Sequence, residues 1–138
     1  MNAIWILKLT SLTYLGLLAA GWLMPGIVGL REHLRPLPVF IRRLFWVYYA
    51  FIGLCLTSFG LGSFWLAEQL ASGTVLARAI CGFLAVFWLL RWVAGTFIFD
   101  LRPYLTTRGR RVGLLAANVV FTWLPLFYGW LALRGGNP

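Results

Sequence analysis

The sequence predicts an all-α integral membrane protein, a four-helix antiparallel bundle of the kind that two repeated helix hairpins would build. Three observations carry this. The chain of 138 residues is 62% hydrophobic and only 11% charged, whereas soluble domains run at roughly 45–50% apolar and ~25% charged residues. In water such a chain would expose large apolar patches, so its expected solvent is lipid. The apolar residues fall in four runs, 3–24, 44–67, 75–99 and 112–133, each near the ~20 residues that cross a ~30 Å hydrocarbon core. The connections are short, which makes consecutive helices antiparallel neighbours. Strands are disfavoured because an open sheet leaves backbone groups unsatisfied in lipid.

The first run starts at Ala3 and is expected to end at Pro25-Gly26. A secretion signal places its basic residues ahead of a short apolar core. Here the basic residue is Lys8, which follows Ile4-Trp5-Ile6-Leu7, so the run reads as a retained helix. A polar turn over 26–43 holds Arg31, Glu32, His33, Arg35, Arg42 and Arg43. Pro36 and Pro38 punctuate it, and proline suits the first position of a helix. After the second run a short loop leads to Thr74, a residue type that caps helix N-termini. The second basic turn, 100–111, holds Asp100, Arg102, Pro103, Tyr104, Arg108, Arg110 and Arg111, with Thr106 or Thr107 as the expected cap of the fourth helix. The tail from Arg134 is polar and expected to fray.

The net charge is +9, from 12 Lys+Arg against 3 Asp+Glu. In a soluble protein this would point to nucleic acid. Here the arginines are embedded in short turns between apolar runs, so no nucleic acid is expected; the pattern is that of topology signals and anionic-lipid contacts. The turns after the first and third runs are arginine-rich, and the loop after the second has no basic residue before Arg78. The positive-inside rule then predicts both basic turns in the cytoplasm and both termini outside, with a bacterial inner membrane as the expected location. A Leu-Arg-Pro followed by Arg-Arg occurs in each basic turn, at Leu34 and Arg42 and again at Leu101 and Arg110. This echo suggests duplicated hairpins, as in some membrane folds.

Candidate packing positions are Ala50, Gly53, Thr57 and Gly60 in the second run, spaced by three and four, and Gly95 in the third. Small faces let helix backbones approach closely in lipid. Trp5, Trp22, Trp46, Trp65, Trp92 and Trp130 lie near run ends, where interfacial belts account for them; Trp88 and Trp123 lie deeper.

Arg91 is the most informative single residue. It sits about eight residues from the end of the third run, ~12 Å into the apolar layer, where charge costs ~2.5–3.5 kcal/mol on insertion scales. Side chains lean toward the helix N-terminus, which would aim Arg91 at the bilayer centre, whereas Lys8 leans to its nearer surface. The expected partners of Arg91 are Asn118 and Thr122 on the returning helix, with Tyr14 near the same depth. Such an intramembrane polar cluster reads as an interhelical bond, as a site for an anionic group, or as an arginine that is incompletely buried; snorkelling is the usual escape for arginine, and the lean of Arg91 away from its nearer surface weighs against it. Pro125 is expected to kink the fourth helix beside it.

Lipid phosphate or a partner's acidic group is expected at Arg35, Arg42, Arg43, Asp100, Arg102, Arg108, Arg110 and Arg111, because guanidinium forks match phosphate oxygens. Glu32-His33 has the residue types of a general-base pair, although a histidine among solvated arginines is more often a plain loop residue. A sole histidine rules out bis-histidine haem within one chain. Cys55 and Cys81 lie in apolar runs without metal-ligand spacing, and no metal or cofactor is expected. No Gly-rich phosphate loop or G-x-S-x-G elbow occurs, and the apolar runs carry no central carboxylate to serve as a proton site. The leading expectation is therefore a non-catalytic accessory or assembly subunit. Its basic face would contact anionic lipid or a partner, and its small-residue faces would dock other membrane subunits or a second copy. The alternatives are a small transporter or channel for an anionic solute, with a path past Arg91, Asn118 and Pro125, and a membrane enzyme acting on a phosphorylated lipid.

Overall fold

A computed structural model describes residues 2–100 and 102–134. These residues form four long helices with two short ones between them, and no strand occurs among them. α1 spans Ala3–Ile27, α2 Leu30–Leu34, α3 Val39–Trp65, α4 Ala67–Ala71, α5 Val75–Val93 and α6 Arg108–Leu133. A single π-helical turn over Ala94–Ile98 extends α5, and a 3-10 turn covers Arg102–Tyr104. Four helical stretches are long and apolar enough to cross a membrane, which fits an integral membrane protein.

The bundle is two helix hairpins, α1 with α3 and α5 with α6. α4 packs on both α1 and α5, and α1 also meets α6, so α1 and α4 join the two hairpins. Arg78 at the start of α5 donates from Nε to the Ala132 carbonyl at the end of α6, 2.8 Å away, which pins the second hairpin antiparallel. Residues such as Trp22, Leu76, Val112 and Leu133 lie exposed on the outside. The core is narrow and aromatic: Leu7, Tyr14, Cys81, Leu84, Trp88, Leu124, Phe127, Tyr128 and Leu131 are buried together.

Three boundaries differ from the sequence expectation, each for a local reason. α1 does not stop at Pro25 but continues to Ile27. Proline removes the N–H that would bond the carbonyl four residues earlier; here that carbonyl belongs to Gly21, and the Tyr49 hydroxyl of α3 donates to it instead. α3 begins at Val39, directly after Pro38, so Arg42 and Arg43 belong to its first turns. α6 begins at Arg108, with Thr107 Oγ1 accepting from the Arg110 N–H at 3.3 Å, so Arg108, Arg110 and Arg111 stand on a helix and the second connection shortens accordingly. Thr74 caps α5 in the expected way, accepting from the Ala77 N–H at 3.3 Å. Of the two Leu-Arg-Pro motifs, the first closes α2 and the second enters the 3-10 turn, its Leu101 lying outside the described residues.

Candidate functional site

Polar atoms collect in three places: the centre of the bundle, the Arg91 niche and the two basic turns. At the centre, each long helix contributes one polar side chain to a single hydrogen-bonded chain. Trp88 of α5 donates from Nε1 to the Tyr14 hydroxyl of α1 at 2.9 Å. Tyr14 meets the Tyr128 hydroxyl of α6 at 3.1 Å, and Tyr128 meets Ser63 Oγ of α3 at 2.6 Å. All four residues are at most 1% exposed. The helix directions produce this meeting. α1 and α5 run away from the end of the bundle that carries the termini, so Tyr14 and Trp88 lean toward that end; α3 and α6 run toward it, so Ser63 and Tyr128 lean away from it. One proton order satisfies the most groups. Tyr14 already accepts from Trp88, so it donates to Tyr128, which donates to Ser63; a helical serine can turn its own proton to a backbone carbonyl one turn back.

Close packing seats this chain. A Cβ on Gly60 of α3 would stand 2.9 Å from the Tyr14 Cβ, inside contact distance, so the absence of a side chain sets the approach of α1 and α3. The rest of the expected small-residue face behaves differently. Ala50 is exposed, nothing lies within 4 Å of a Cβ on Gly53, and the Thr57 hydroxyl turns back onto the Gly53 carbonyl at 2.8 Å. Of these four positions, Gly60 is the one that packs tightly against α1.

Arg91 does not take the expected lean toward the start of its helix, and the structure does not join it to Asn118, Thr122 or Tyr14. Its guanidinium carbon lies 4.8 Å from the centre of the Phe121 ring and 5.5 Å from that of Phe99. A Cβ on Gly95 would stand 3.4 Å from Nη1. Gly95 and Phe99 both follow Arg91 in sequence, so the side chain runs toward the basic end of the bundle, against the usual lean. The missing Cβ at Gly95 leaves that path open, and the π turn with extended Phe99 after it brings the Phe99 ring over the guanidinium. The guanidinium is therefore turned toward the basic end and held between two aromatic faces. Lys8 follows the usual lean: its Nζ lies 5.5 Å from the ring of Trp5, three residues earlier.

The expected partners of Arg91 are engaged elsewhere. Tyr14 belongs to the central chain. Asn118 and Thr122 face outward from α6, where the Thr122 hydroxyl donates to the Asn118 backbone carbonyl at 2.8 Å. Together with Val119, Trp123 and Leu126 they line an open groove of about 390 Å³. Trp123 is fixed by donating to Thr10 Oγ1 at 3.3 Å and by stacking on Phe127.

The basic turns lie at the other end. Arg31, Leu34, Arg42 and Trp46 line a recess of about 300 Å³. Leu34 is buried beneath it, and α2, launched by the left-handed Gly29 at φ 61°, supplies Arg31. Arg42 reaches the Arg35 carbonyl at 3.5 Å, while Arg35 and Arg43 are exposed. None of Asp100, Arg102, Arg108, Arg110 and Arg111 lines that recess. Asp100 and Arg102 form an exposed pair at 3.6 Å, a geometry that contributes little to stability. Arg110 folds back to the Tyr104 carbonyl at 3.2 Å and Thr106 Oγ1 at 3.1 Å, so its charge serves the turn. Glu32 and His33 do not form a general-base pair: His33 Nδ1 donates to the Gly29 carbonyl at 2.9 Å and closes its own helical turn.

Among the described residues no group of three or more His, Cys, Asp or Glu could hold a metal, and Cys55 and Cys81 are unbridged, the first exposed and the second buried. The residues that sequence reasoning missed are Trp88 and Tyr128 as partners of Tyr14, Ser63 as the partner of Tyr128, and Tyr49 as the partner of the proline gap. Helix direction combined with depth would have pointed to the first three. Compared with family models, with curated proteins and with solved structures, the chain matches none of them.

Proposed function

We propose that this chain is a non-catalytic membrane subunit whose basic end engages the phosphate groups of anionic lipids. The observation that carries the reading is the recess between Arg31 and Arg42, backed by Trp46 and floored by Leu34. Two guanidinium forks around one opening suit phosphate oxygens, an indole suits the headgroup level, and an apolar floor suits the glycerol and first methylenes of a lipid. Positive-inside topology would face this end to the cytoplasmic leaflet, where anionic lipid is enriched, and leave both termini outside. An accessory or assembly role follows from what the interior lacks. Among the described residues every buried polar side chain already has a hydrogen-bond partner within the chain, and Glu32 and His33 are not arranged for proton transfer. A transport path past Arg91 has no support in a guanidinium packed between two rings.

The test is lipid retention. The full-length protein, reconstituted in nanodiscs of phosphatidylcholine with a minor fraction of phosphatidylglycerol, is analysed by native mass spectrometry for bound lipid. Each arginine near an anionic surface contributes ~1 kcal/mol, so Arg31→Gln with Arg42→Gln is expected to lower phosphatidylglycerol retention roughly thirty-fold. Retention equal to that of the unsubstituted protein would overturn the reading.

A further inference from the structure

We infer that the outward groove on α6 is the docking face for a second copy of this chain, paired through Asn118 across a two-fold axis along the membrane normal. Counted from Val112, the residue that follows the arginine-bearing turn, Asn118 lies about 9 Å along α6. Its carboxamide has no hydrogen-bond partner among the described residues, and the residue is exposed on the outside of the bundle. Acyl chains offer neither donor nor acceptor, so a polar group at that depth is satisfied only by another polar group. The surroundings leave this amide as the one unspent polar group of the groove. Thr122 is turned onto the Asn118 backbone carbonyl, and Trp123 is held by Thr10 and Phe127.

The occupant follows from the chemistry of the group. A carboxamide carries two donors and one acceptor oxygen, so it complements its own copy, each amide donating to the other's oxygen. Copies inserted in the same bilayer by the same topology signals share one orientation, and the two-fold axis that relates them lies along the membrane normal. Such an interface is isologous, and residues on the axis meet themselves. Leu115, Asn118 and Thr122 are spaced by three and four and all face outward, the rhythm that brings two parallel helices together along one seam. Val119 and Leu126, exposed at 62% and 66%, flank this seam with apolar surface.

The experiment measures self-association of the full chain carrying donor and acceptor fluorescent proteins at its C-terminus, in phosphatidylcholine vesicles, as energy transfer against protein-to-lipid ratio. The unsubstituted protein is expected to associate specifically and saturably. Polar pairs between membrane helices are worth enough that Asn118→Leu should weaken association roughly five- to thirty-fold. Asn118→Gln, which keeps the carboxamide, should retain most of it, and Leu54→Ala on the exposed side of α3 should leave it unchanged. Because Asn118 is exposed and its carboxamide makes no hydrogen bond among the described residues, the leucine variant is expected to keep the helical circular dichroism of the parent. Energy transfer no higher than that of non-interacting membrane proteins at every density would overturn the inference and leave the groove to lipid or to a different subunit. Equal association of Asn118→Leu and the parent, or equal weakening by Leu54→Ala, would also overturn it.

Discussion

Removing the Tyr128 hydroxyl tests whether the central hydrogen-bonded chain couples the four helices. Tyr128→Phe keeps the ring and its packing against Phe127, whose centre lies 5.9 Å away. It deletes two bonds at once, to Tyr14 at 3.1 Å and to Ser63 at 2.6 Å. Polar bonds between membrane helices average ~0.6 kcal/mol and reach ~1.7 in the strongest cases. Two of them together, with Ser63 left short of a partner at full burial, place the expected loss at roughly 1–3 kcal/mol. Ser63→Ala deletes only one of the two bonds and leaves Tyr128 paired with Tyr14, so its expected cost is about 0.6–1.5 kcal/mol. The double variant discriminates a chain from independent contacts. Once Tyr128 is phenylalanine the serine has lost its partner, so the double variant should cost less than the sum of the singles by about the worth of that one bond. The assay is reversible unfolding of the purified protein by rising mole fractions of sodium dodecyl sulfate in neutral detergent micelles, followed by far-ultraviolet circular dichroism. A stability of Tyr128→Phe within ~0.3 kcal/mol of the parent, or strict additivity in the double variant, would refute the reasoning.

Two further outcomes follow from single contacts. Tyr49→Phe strips the donor from the Gly21 carbonyl that Pro25 leaves open and should lower stability by about 1 kcal/mol in the same unfolding assay. In a Pro25→Ala background, where the backbone N–H returns, the same substitution should be nearly silent, and an equal cost in both backgrounds would refute the pairing. Arg91→Leu gives up two cation–π contacts worth roughly 0.5–2 kcal/mol and removes a charge whose burial costs more than that on insertion scales. Its unfolding midpoint should therefore stay level or rise, and a loss above ~2 kcal/mol would show that Arg91 has an anionic partner.

The long helices were legible in the sequence because hydrophobic run length is a property of each segment alone. Side-chain partnerships were not, because they depend on which helices meet and at what depth. Pro25 signals a helix end locally, and only Tyr49, on another helix, makes continuation through it affordable. Arg91 was expected to lean toward the start of its helix, and its side chain runs the other way, toward Gly95 and Phe99. The usual lean of side chains is an average, and an empty Cβ at Gly95 with two rings beyond it outweighs that average. Tyr14 lies near the depth of Arg91 in the sequence, yet its partners are Trp88 and Tyr128, which only the meeting of helices can supply. The basic turns were legible as charge but not as shape. Thr107 starts α6 earlier than the run of apolar residues suggests, so Arg108, Arg110 and Arg111 are carried on a helix, while the recess forms around Arg31 and Arg42.

These placements divide the polar groups of the apolar layer into two kinds. Ser63, Tyr14, Tyr128 and Trp88 face inward and satisfy one another, and Thr57, Ser58 and Thr122 return their hydroxyls to their own helix, at 2.8, 2.9 and 2.8 Å. Each of these groups is explained by the fold of a single chain. Asn118 is not: it is exposed, and its amide has no hydrogen-bond partner among the described residues. A polar group that the fold leaves unsatisfied in an apolar layer costs stability in the isolated chain, and that cost is recovered only where something polar meets it. The inward network therefore bears on stability alone, whereas the outward amide bears on assembly. Substitutions in the first set should move unfolding without changing association per folded molecule, and Asn118 should do the reverse.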